Sequence, residues 1–166
     1  PGAAVDTLQQ IVAHRGASSD RPENTLSALQ RAIELKATAV EIDVRTSKDG
    51  SLFLLHDAKL DRTTDGTGVA TELTMPQLKQ LDAGSSFNKV YAGERIPTLG
   101  EALQLCRGKI NVLLDLKEQG TAYAEAVAKT VREQGDPRQT IVGVRSVEQA
   151  QLFRKLLPQA QQLGFI

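Results

Sequence analysis

Short apolar runs alternate along the chain with segments in which apolar residues recur at helical spacing, and only brief polar breaks separate them. Alternation of this kind favours an α/β domain with a mainly parallel sheet. The apolar runs predict six strands, at residues 11–14, 40–45, 52–55, 110–116, 140–144 and 163–166. The helical spacing predicts five helices, the first opening at residues 23–25 and the others spanning about 75–81, 99–106, 121–134 and 147–157.

Three local features refine this pattern. Asn24 is the expected N-cap of the first helix. Residues 47–50 form a turn between the second and third strands, in which Gly50 can adopt a positive φ, and the turn is too short to hold a helix. Residues 57–95 are rich in Thr, Asp and Gly, and we expect them to form an insertion or lid rather than part of the sheet wall.

These elements predict an incomplete (β/α)8 barrel of the TIM type, with about six strands present and a small insertion after the third. Such a barrel typically takes about 250 residues and eight strands, whereas this chain has 166 residues. We therefore expect a C-terminally incomplete barrel domain, either as a fragment of a longer polypeptide or with another chain covering its last strand. An open doubly wound sheet would fit the length but explains the polar residues less well.

Composition narrows the possible partners. The chain has 20 basic and 20 acidic residues, so its formal net charge is zero, which argues against nucleic acid as a partner. Its apolar runs are too short to span a bilayer, so stable membrane insertion is not expected. The single cysteine, Cys106, lies in the apolar phase of a predicted helix and is expected in the core. The chain begins Pro1-Gly2 without a Met, which leaves the compartment, cytoplasmic or exported, open.

The chain has two histidines, His14 and His56, and each comes at the C-terminal end of a predicted strand. Active sites of α/β barrels assemble at that end, and histidine can exchange a proton near neutral pH. A single histidine in such a place is more often an ordinary core or surface residue. Two of them, each followed by a charged residue (Arg15 and Asp57), favour an acid/base function.

Two strands carry acidic residues at their polar positions. Glu41 and Asp43 point to the same face of a strand because they are two residues apart. Two buried carboxylates require a compensating cation or hydrogen bonds, and oxygen ligands suit Mg²⁺ or Ca²⁺. A solvated edge strand with an Asp43–Arg45 pair explains these two residues about equally well. Asp115, near the end of a later strand, can supply a third carboxylate.

Two basic residues complete a candidate site for phosphoryl-ester cleavage. Lys117 follows Asp115 at the same two-residue spacing, and its ammonium can bind a phosphate. Arg15 can donate to two phosphate oxygens, and the next residue, Gly16, lets the backbone approach a ligand closely. Each residue alone has an ordinary structural explanation, so the prediction depends on the whole set.

Several short motifs also occur in a characteristic order and spacing. They are His14-Arg15-Gly16, Pro22-Glu23-Asn24-Thr25, Glu41-Ile42-Asp43, Asp49-Gly50, His56-Asp57, Arg62-Thr63-Thr64 through Gly68, Ile96-Pro97-Thr98-Leu99 and Leu116-Lys117. The ordered set resembles the signature of the glycerophosphodiester phosphodiesterase family from about Ile11 to Lys117, and more loosely to Ile166.

The resemblance implies a (β/α)8 barrel that hydrolyses a small-molecule glycerophosphodiester to glycerol 3-phosphate and an alcohol, with bound Ca²⁺ or Mg²⁺. By motif position, it implies that His14 and His56 form the acid/base pair. It likewise implies that Glu41 and Asp43 bind the metal.

The resemblance also assigns the remaining site residues. Arg15 would bind the phosphate, Lys117 would stabilise the developing charge, and Glu23 would lie at the edge of the substrate site. The third metal carboxylate of the family is usually a Glu two residues before the Lys, whereas this chain has Asp115. Its shorter side chain can require a bridging water.

Two alternatives remain open from the sequence. One is a related barrel enzyme that acts on phospholipids, such as a sphingomyelinase D-like enzyme or a phosphoinositide lipase. The low aromatic content of residues 57–95 argues against its membrane docking. The other is a non-catalytic fragment that binds phosphate or another subunit. Under any of these interpretations the sequence leaves an oligomer possible.

Overall fold

The structure, a computed structural model, describes residues 10–165 and alternates between strands and helices. The strands are β1 (Val12–Ala13), β2 (Ala39–Thr46), β3 (Leu52–Leu54), β4 (Asn111–Leu116), β5 (Thr140–Val144) and β6 (Gln161–Gly164). The helices are α1 (Leu26–Glu34), α2 (Met75–Leu78), α3 (Leu99–Cys106), α4 (Thr121–Gln134) and α5 (Val147–Leu156). Among the described residues, no helix is both long and apolar enough to cross a bilayer.

All six strands join one sheet, which confirms the predicted strand count and the α/β class. Five of them run parallel in the order β1-β2-β4-β5-β6. β3 lies off this path and pairs antiparallel with the end of β2, across a turn in which Gly50 has a φ of +84°. So short a connection can form only a hairpin, because a parallel crossover needs a dozen or more residues. The third predicted strand therefore exists, but outside the parallel wall.

Helices α1, α3, α4 and α5 pack side by side on one face of the parallel strands. That face is apolar, with Val40, Ile42 and Val44 of β2 buried beneath the helices. Cys106 of α3 is part of this core, as expected, and burial raises the pKa of its thiol to about 12. Since side chains alternate along a strand, the neighbouring positions of β2 and β4 project from the opposite face.

Two local predictions are wrong. The N-cap of α1 is Thr25 rather than Asn24, since the Thr25 hydroxyl accepts a hydrogen bond from the backbone N–H of Ala28 at 3.3 Å. Asn24 instead adopts a φ of +54°, and its side-chain amide bonds to β2. β6 spans Gln161–Gly164 rather than 163–166, because this edge strand is largely exposed and carries few apolar residues to mark it. The last predicted strand residue, Ile166, lies outside the described residues.

Residues 57–95 form a small substructure beside the end of β2. They contain α2 and the 3₁₀ turns Ala70–Glu72 and Lys89–Tyr91. Their apolar side chains, including Leu60 and Leu78, pack with Phe53 of β3 in a second, smaller core. The structure describes this whole segment and places none of it in the sheet. Its interpretation as an insertion or lid stays a prediction.

Gly16 and Gly50 form a matched pair for testing the packing of the loop after β1. Both have positive φ, +81° and +84°. A Cβ on Gly16 would lie 2.7 Å from Ala28 Cβ, whereas a Cβ on Gly50 would have nothing within 4 Å. We expect Gly50→Ala to lower the free energy of unfolding by about 1–2 kcal/mol, the cost of a left-handed backbone for alanine. Gly16→Ala should lower it by about 1–3 kcal/mol more, because α1 must also shift.

Urea denaturation of the two variants measures this difference directly. Equal losses of unfolding free energy would show that the loop after β1 accommodates a methyl group, and would contradict the expected clash.

Candidate active site

Three carboxylates lie together on the face of the sheet opposite the helices. Glu41 and Asp43 belong to β2 and Asp115 to β4, and the strand register places Asp43 beside Asp115. One oxygen of each carboxylate lies within 4.8 Å of the others. All three residues are buried, at 7%, 0% and 9% exposure. The structure thus brings together the three residues that the sequence predicts as metal ligands; we call them the carboxylate cluster.

The two oxygens of Asp43 have different surroundings. Oδ2 accepts a hydrogen bond from Asn24 Nδ2 at 2.8 Å, and Asn24 Oδ1 accepts the backbone N–H of Asp43 at 3.2 Å. Oδ1 lies 2.9 Å from Lys117 Nζ, but the angles are not those of a hydrogen bond. Within the described residues, this buried oxygen therefore has no hydrogen-bond donor. Asn24, which the sequence suggested as a helix cap, orients Asp43.

Asp115 is paired with two cations. Lys117 Nζ lies 2.7 Å from its Oδ2, and Arg145 Nη2 lies 2.7 Å from its Oδ1. Burial acts to raise the pKa of Asp115, but the hydrogen bonds from Lys117 and Arg145 outweigh burial, and the pKa is lowered. Burial acts to lower the pKa of Lys117, but its ion pairs with Asp115 and Asp43 outweigh that effect and raise the pKa.

Sequence reasoning missed Arg145. It directly follows β5, so it is a charged residue at the C-terminal end of a parallel strand. The same criterion selected both histidines, and applied to every strand it would have selected Arg145 as well.

Glu41 is a buried acid that resists ionisation. Burial is the main cause, and the charge of Asp43 is the next; together they raise the pKa of Glu41 from 4.5 to about 7. Its Oε2 accepts the backbone N–H of Arg15 at 2.9 Å and lies 3.9 Å from His14 Nε2. A cation beside Glu41 would favour the ionised carboxylate.

The carboxylate cluster fits a divalent cation. All the donors are oxygen, the type that Mg²⁺ and Ca²⁺ prefer. One buried oxygen, Asp43 Oδ1, has no hydrogen-bond donor among the described residues, and the pKa of Glu41 is raised partly by its acidic neighbours. A single cation among these oxygens would give Asp43 Oδ1 a partner and would reduce the repulsion that raises the pKa of Glu41.

The loop after β1 carries His14, Arg15 and Glu23 to the same end of the sheet. The His14 side chain is 68% exposed and lies beside Glu41. Arg15 and Gly16 both have positive φ, which turns the chain sharply after the histidine. Arg15 Nη1 donates to Glu23 Oε1 at 3.2 Å, and its Nε lies 3.7 Å from Asp43 Oδ2. Arg15 thus extends from Glu23 to the carboxylate cluster.

His56 follows β3 and is oriented through one ring nitrogen. Its Nδ1 lies 2.7 Å from Asp57 Oδ1. Arg62 donates to both oxygens of Asp57, at 2.7 and 3.1 Å, and to both oxygens of Glu23, each at 2.8 Å. With Nδ1 engaged, Nε2 is the nitrogen available for proton transfer. Arg62, which the sequence marked only as part of a motif, connects the loop of His56 to the loop of His14.

The alternative of a solvated edge strand with an Asp43–Arg45 pair is wrong. β2 lies between β1 and β4, and Asp43 is fully buried. Arg45 instead donates to the backbone carbonyls of Leu55 at 3.0 Å and His56 at 2.6 Å. Arg45 therefore fixes the chain at the second histidine.

Sequence comparison links the chain to one protein family. Residues 14–161 match the Glycerophosphoryl diester phosphodiesterase family. The chain is 40% identical over 136 residues to a glycerophosphodiester phosphodiesterase of Caldanaerobacter subterraneus subsp. tengcongensis, a match that covers 80% of this chain and 56% of the relative. It is also 40% identical over 125 residues to glycerophosphodiester phosphodiesterase 1 of Homo sapiens, covering 74% of this chain and 38% of that one. The chain thus spans little more than half the length of the first relative.

Structural comparison agrees. The glycerophosphodiester phosphodiesterase of Agrobacterium tumefaciens str. C58 matches with a TM-score of 0.82 at 37% identity, covering 92% of this chain and 65% of that one. An Oleispira antarctica phosphodiesterase, in complex with the product sn-glycerol-3-phosphate, matches with a TM-score of 0.85 at 32% identity, covering 95% and 66%. Structures of this family are TIM barrels, so the five parallel strands correspond to part of such a barrel.

Glu41→Gln should affect stability and cation binding in opposite directions. Between pH 4.5 and about 7 the folded protein holds more protons than the unfolded chain, so the free energy of unfolding falls as pH rises through that window. In metal-free protein at pH 8, the uncharged glutamine should raise the free energy of unfolding by on the order of 1–3 kcal/mol. We expect millimolar Ca²⁺ or Mg²⁺ to raise the melting temperature of the wild type, and the variant should lose this rise.

Thermal melts at pH 8, with and without cation, measure both effects. Glu125→Gln, on the exposed face of α4, is the control and should behave as the wild type. A metal-free Glu41→Gln protein that melts below the wild type would contradict the assignment of Glu41 as an unfavourable buried charge.

Proposed function

Since the chain belongs to the glycerophosphoryl diester phosphodiesterase family, we propose that it hydrolyses a glycerophosphodiester to glycerol 3-phosphate and an alcohol. The observation that carries this proposal is the buried carboxylate cluster, with His14, Arg15 and Lys117 beside it at one end of the sheet. Support for the substrate class comes from the related Oleispira antarctica phosphodiesterase, which is in complex with sn-glycerol-3-phosphate. The zero net charge of the chain also favours a small molecule over nucleic acid.

Glu41, Asp43 and Asp115 would hold the cofactor, a divalent cation for which Ca²⁺ and Mg²⁺ are the candidates. When bound, it supplies positive charge that neutralises the phosphodiester and stabilises the extra negative charge of the transition state. The protein orients two of the ligands in advance. Asn24 holds Asp43 through its amide, and the backbone N–H of Arg15 holds Glu41.

His14 and His56 would act as the acid/base pair. One takes the proton of the attacking hydroxyl as the oxygen–phosphorus bond forms, and the other gives a proton to the leaving alkoxide as its bond to phosphorus breaks. The attacking hydroxyl belongs either to water or to the glycerol moiety of the substrate. Attack by the glycerol hydroxyl gives a cyclic phosphate, which water then opens. The Asp57–Arg62 pair keeps the His56 ring in one orientation.

Arg15 and Lys117 would bind the phosphate from two directions. Both lie beside the buried Asp43, and their side chains are 18% and 15% exposed, so water screens their charges only partly. Lys117 can stabilise the negative charge that develops on phosphate oxygens. Glu23 lies at the edge of the site, where it accepts hydrogen bonds from Arg15 and Arg62 and would position both toward the substrate.

Hydrolysis of glycerophosphocholine, followed as release of glycerol 3-phosphate, is the direct test of this function. We expect turnover that is lost in EDTA and restored by Ca²⁺ or Mg²⁺, because the carboxylate cluster offers only oxygen ligands. Full activity after exhaustive chelation would remove the cation from the mechanism.

The same assay separates the alternatives. A phospholipid-directed enzyme would prefer sphingomyelin or phosphatidylinositol, and Phe87 and Val90 are exposed apolar side chains that it could place in a lipid surface. A protein that binds phosphate without catalysis would turn over none of these substrates.

The histidines are tested by His14→Ala and His56→Ala. Each change is expected to lower kcat on the order of 10²–10⁴-fold. The double variant should be far less than additively worse, since the two histidines act as a unit. Melting temperatures should barely move, and Glu125→Gln again serves as the surface control. A histidine variant with wild-type kcat would exclude that residue from the chemistry.

A further inference from the structure

Arg145 lies beside the carboxylate cluster although no predicted role includes it. Its side chain is 45% exposed, and its Nη2 donates to Asp115 Oδ1 at 2.7 Å. Lys117 takes the other oxygen of the same carboxylate at 2.7 Å. Both oxygens of Asp115 are therefore occupied by cationic side chains.

Contacts with neighbouring residues hold the Arg145 side chain in place. Phe165, just beyond β6, donates its backbone N–H to the carbonyl of Val144 at 2.9 Å, which anchors it beside the end of β5. Its ring occupies the space left by Gly143, since a Cβ there would lie 2.2 Å from Phe165 Cε2. The Arg145 guanidinium lies over this ring, 5.0 Å from the centroid. Cation–π contact and ion pair together hold Arg145 against Asp115.

We propose that Arg145 competes with the divalent cation for Asp115 and so sets the cation affinity of the site, an inference that rests on the proposed function. For Asp115 to bind the cation, one of its oxygens must leave a positively charged partner. The guanidinium is also repelled by a divalent charge placed among the three carboxylates. Asp115 is shorter than a glutamate, so it cannot easily reach both partners at once. Arg145 acts through Asp115 and is a positioning residue in this scheme.

Isothermal titration calorimetry with Mg²⁺ or Ca²⁺ alone tests the competition without relying on activity. Arg145→Gln should bind the cation about tenfold more tightly than the wild type. Phe165→Leu keeps the charge but removes the aromatic support, and should change the affinity less and in the same direction. Arg154→Gln, in the exposed last turn of α5, is the matched control and should leave the affinity unchanged.

A double-mutant cycle separates competition from a general effect of charge. In an Asp115→Asn background the arginine has no carboxylate to compete for and only its repulsion of the cation remains, so Arg145→Gln should tighten binding much less than it does in the wild-type background. An equal gain in both backgrounds would show that Arg145 acts only through its field, and would overturn the proposal. If the wild type binds the cation and Arg145→Gln binds it equally or more weakly, the proposed competition is also overturned. The assignment of the carboxylates as a cation site would still stand. If neither the wild type nor Arg145→Gln binds Mg²⁺ or Ca²⁺, both the assignment of the cation site and the proposed competition are wrong.

Discussion

The candidate active site depends on one constraint, the burial of three carboxylates side by side on adjacent parallel strands. Like charges this close repel strongly once water is excluded, so each must be compensated within the fold. The protein does this differently at each residue. Burial and the neighbouring Asp43 raise the pKa of Glu41 to about 7, Asp43 combines an amide donor with a nearby ammonium, and Asp115 is paired with two cationic side chains. These contacts hold the three carboxylates in place without a cation. A divalent cation would replace part of this compensation.

The two histidines lie on separate loops, one after β1 and the other after β3. Arg62 joins these loops with four hydrogen bonds, two to Asp57 and two to Glu23. Its planar guanidinium is suited to hold two carboxylates at once, whereas a lysine offers a point charge. Arg62 belongs to residues 57–95, so the segment outside the sheet wall has a direct structural connection to the loop after β1.

Much of this arrangement could be predicted because it follows from local rules. The alternation of side chains along a strand places Glu41 and Asp43 on one face, and the common polarity of parallel strands brings Asp115 to the same end. The failures have a physical reason as well. Asn24 and Thr25 are both good N-caps, and only the contact with Asp43 shows which of them is needed elsewhere.

The contacts that the sequence could not predict connect residues distant along the chain. The Arg145–Asp115 pair depends on the neighbouring register of β4 and β5, and the Arg62–Glu23 pair depends on how residues 57–95 fold back. β6 was misplaced for a related reason. An exposed edge strand is defined by the strand that it pairs with, here β5, more than by its own side chains.

Arg15 contributes to the site with two separable parts, its backbone N–H to Glu41 and its guanidinium to Glu23. The N–H is common to every amino acid except proline, so Glu41 would keep this contact whatever side chain stood at position 15, provided that the residue tolerated a φ near +57°. The side chain at position 15 could therefore change without loss of the main-chain hydrogen bond to Glu41. A substitution at position 15 would thus remove the guanidinium from Glu23 and Asp43 and leave the main-chain hydrogen bond to Glu41 in place.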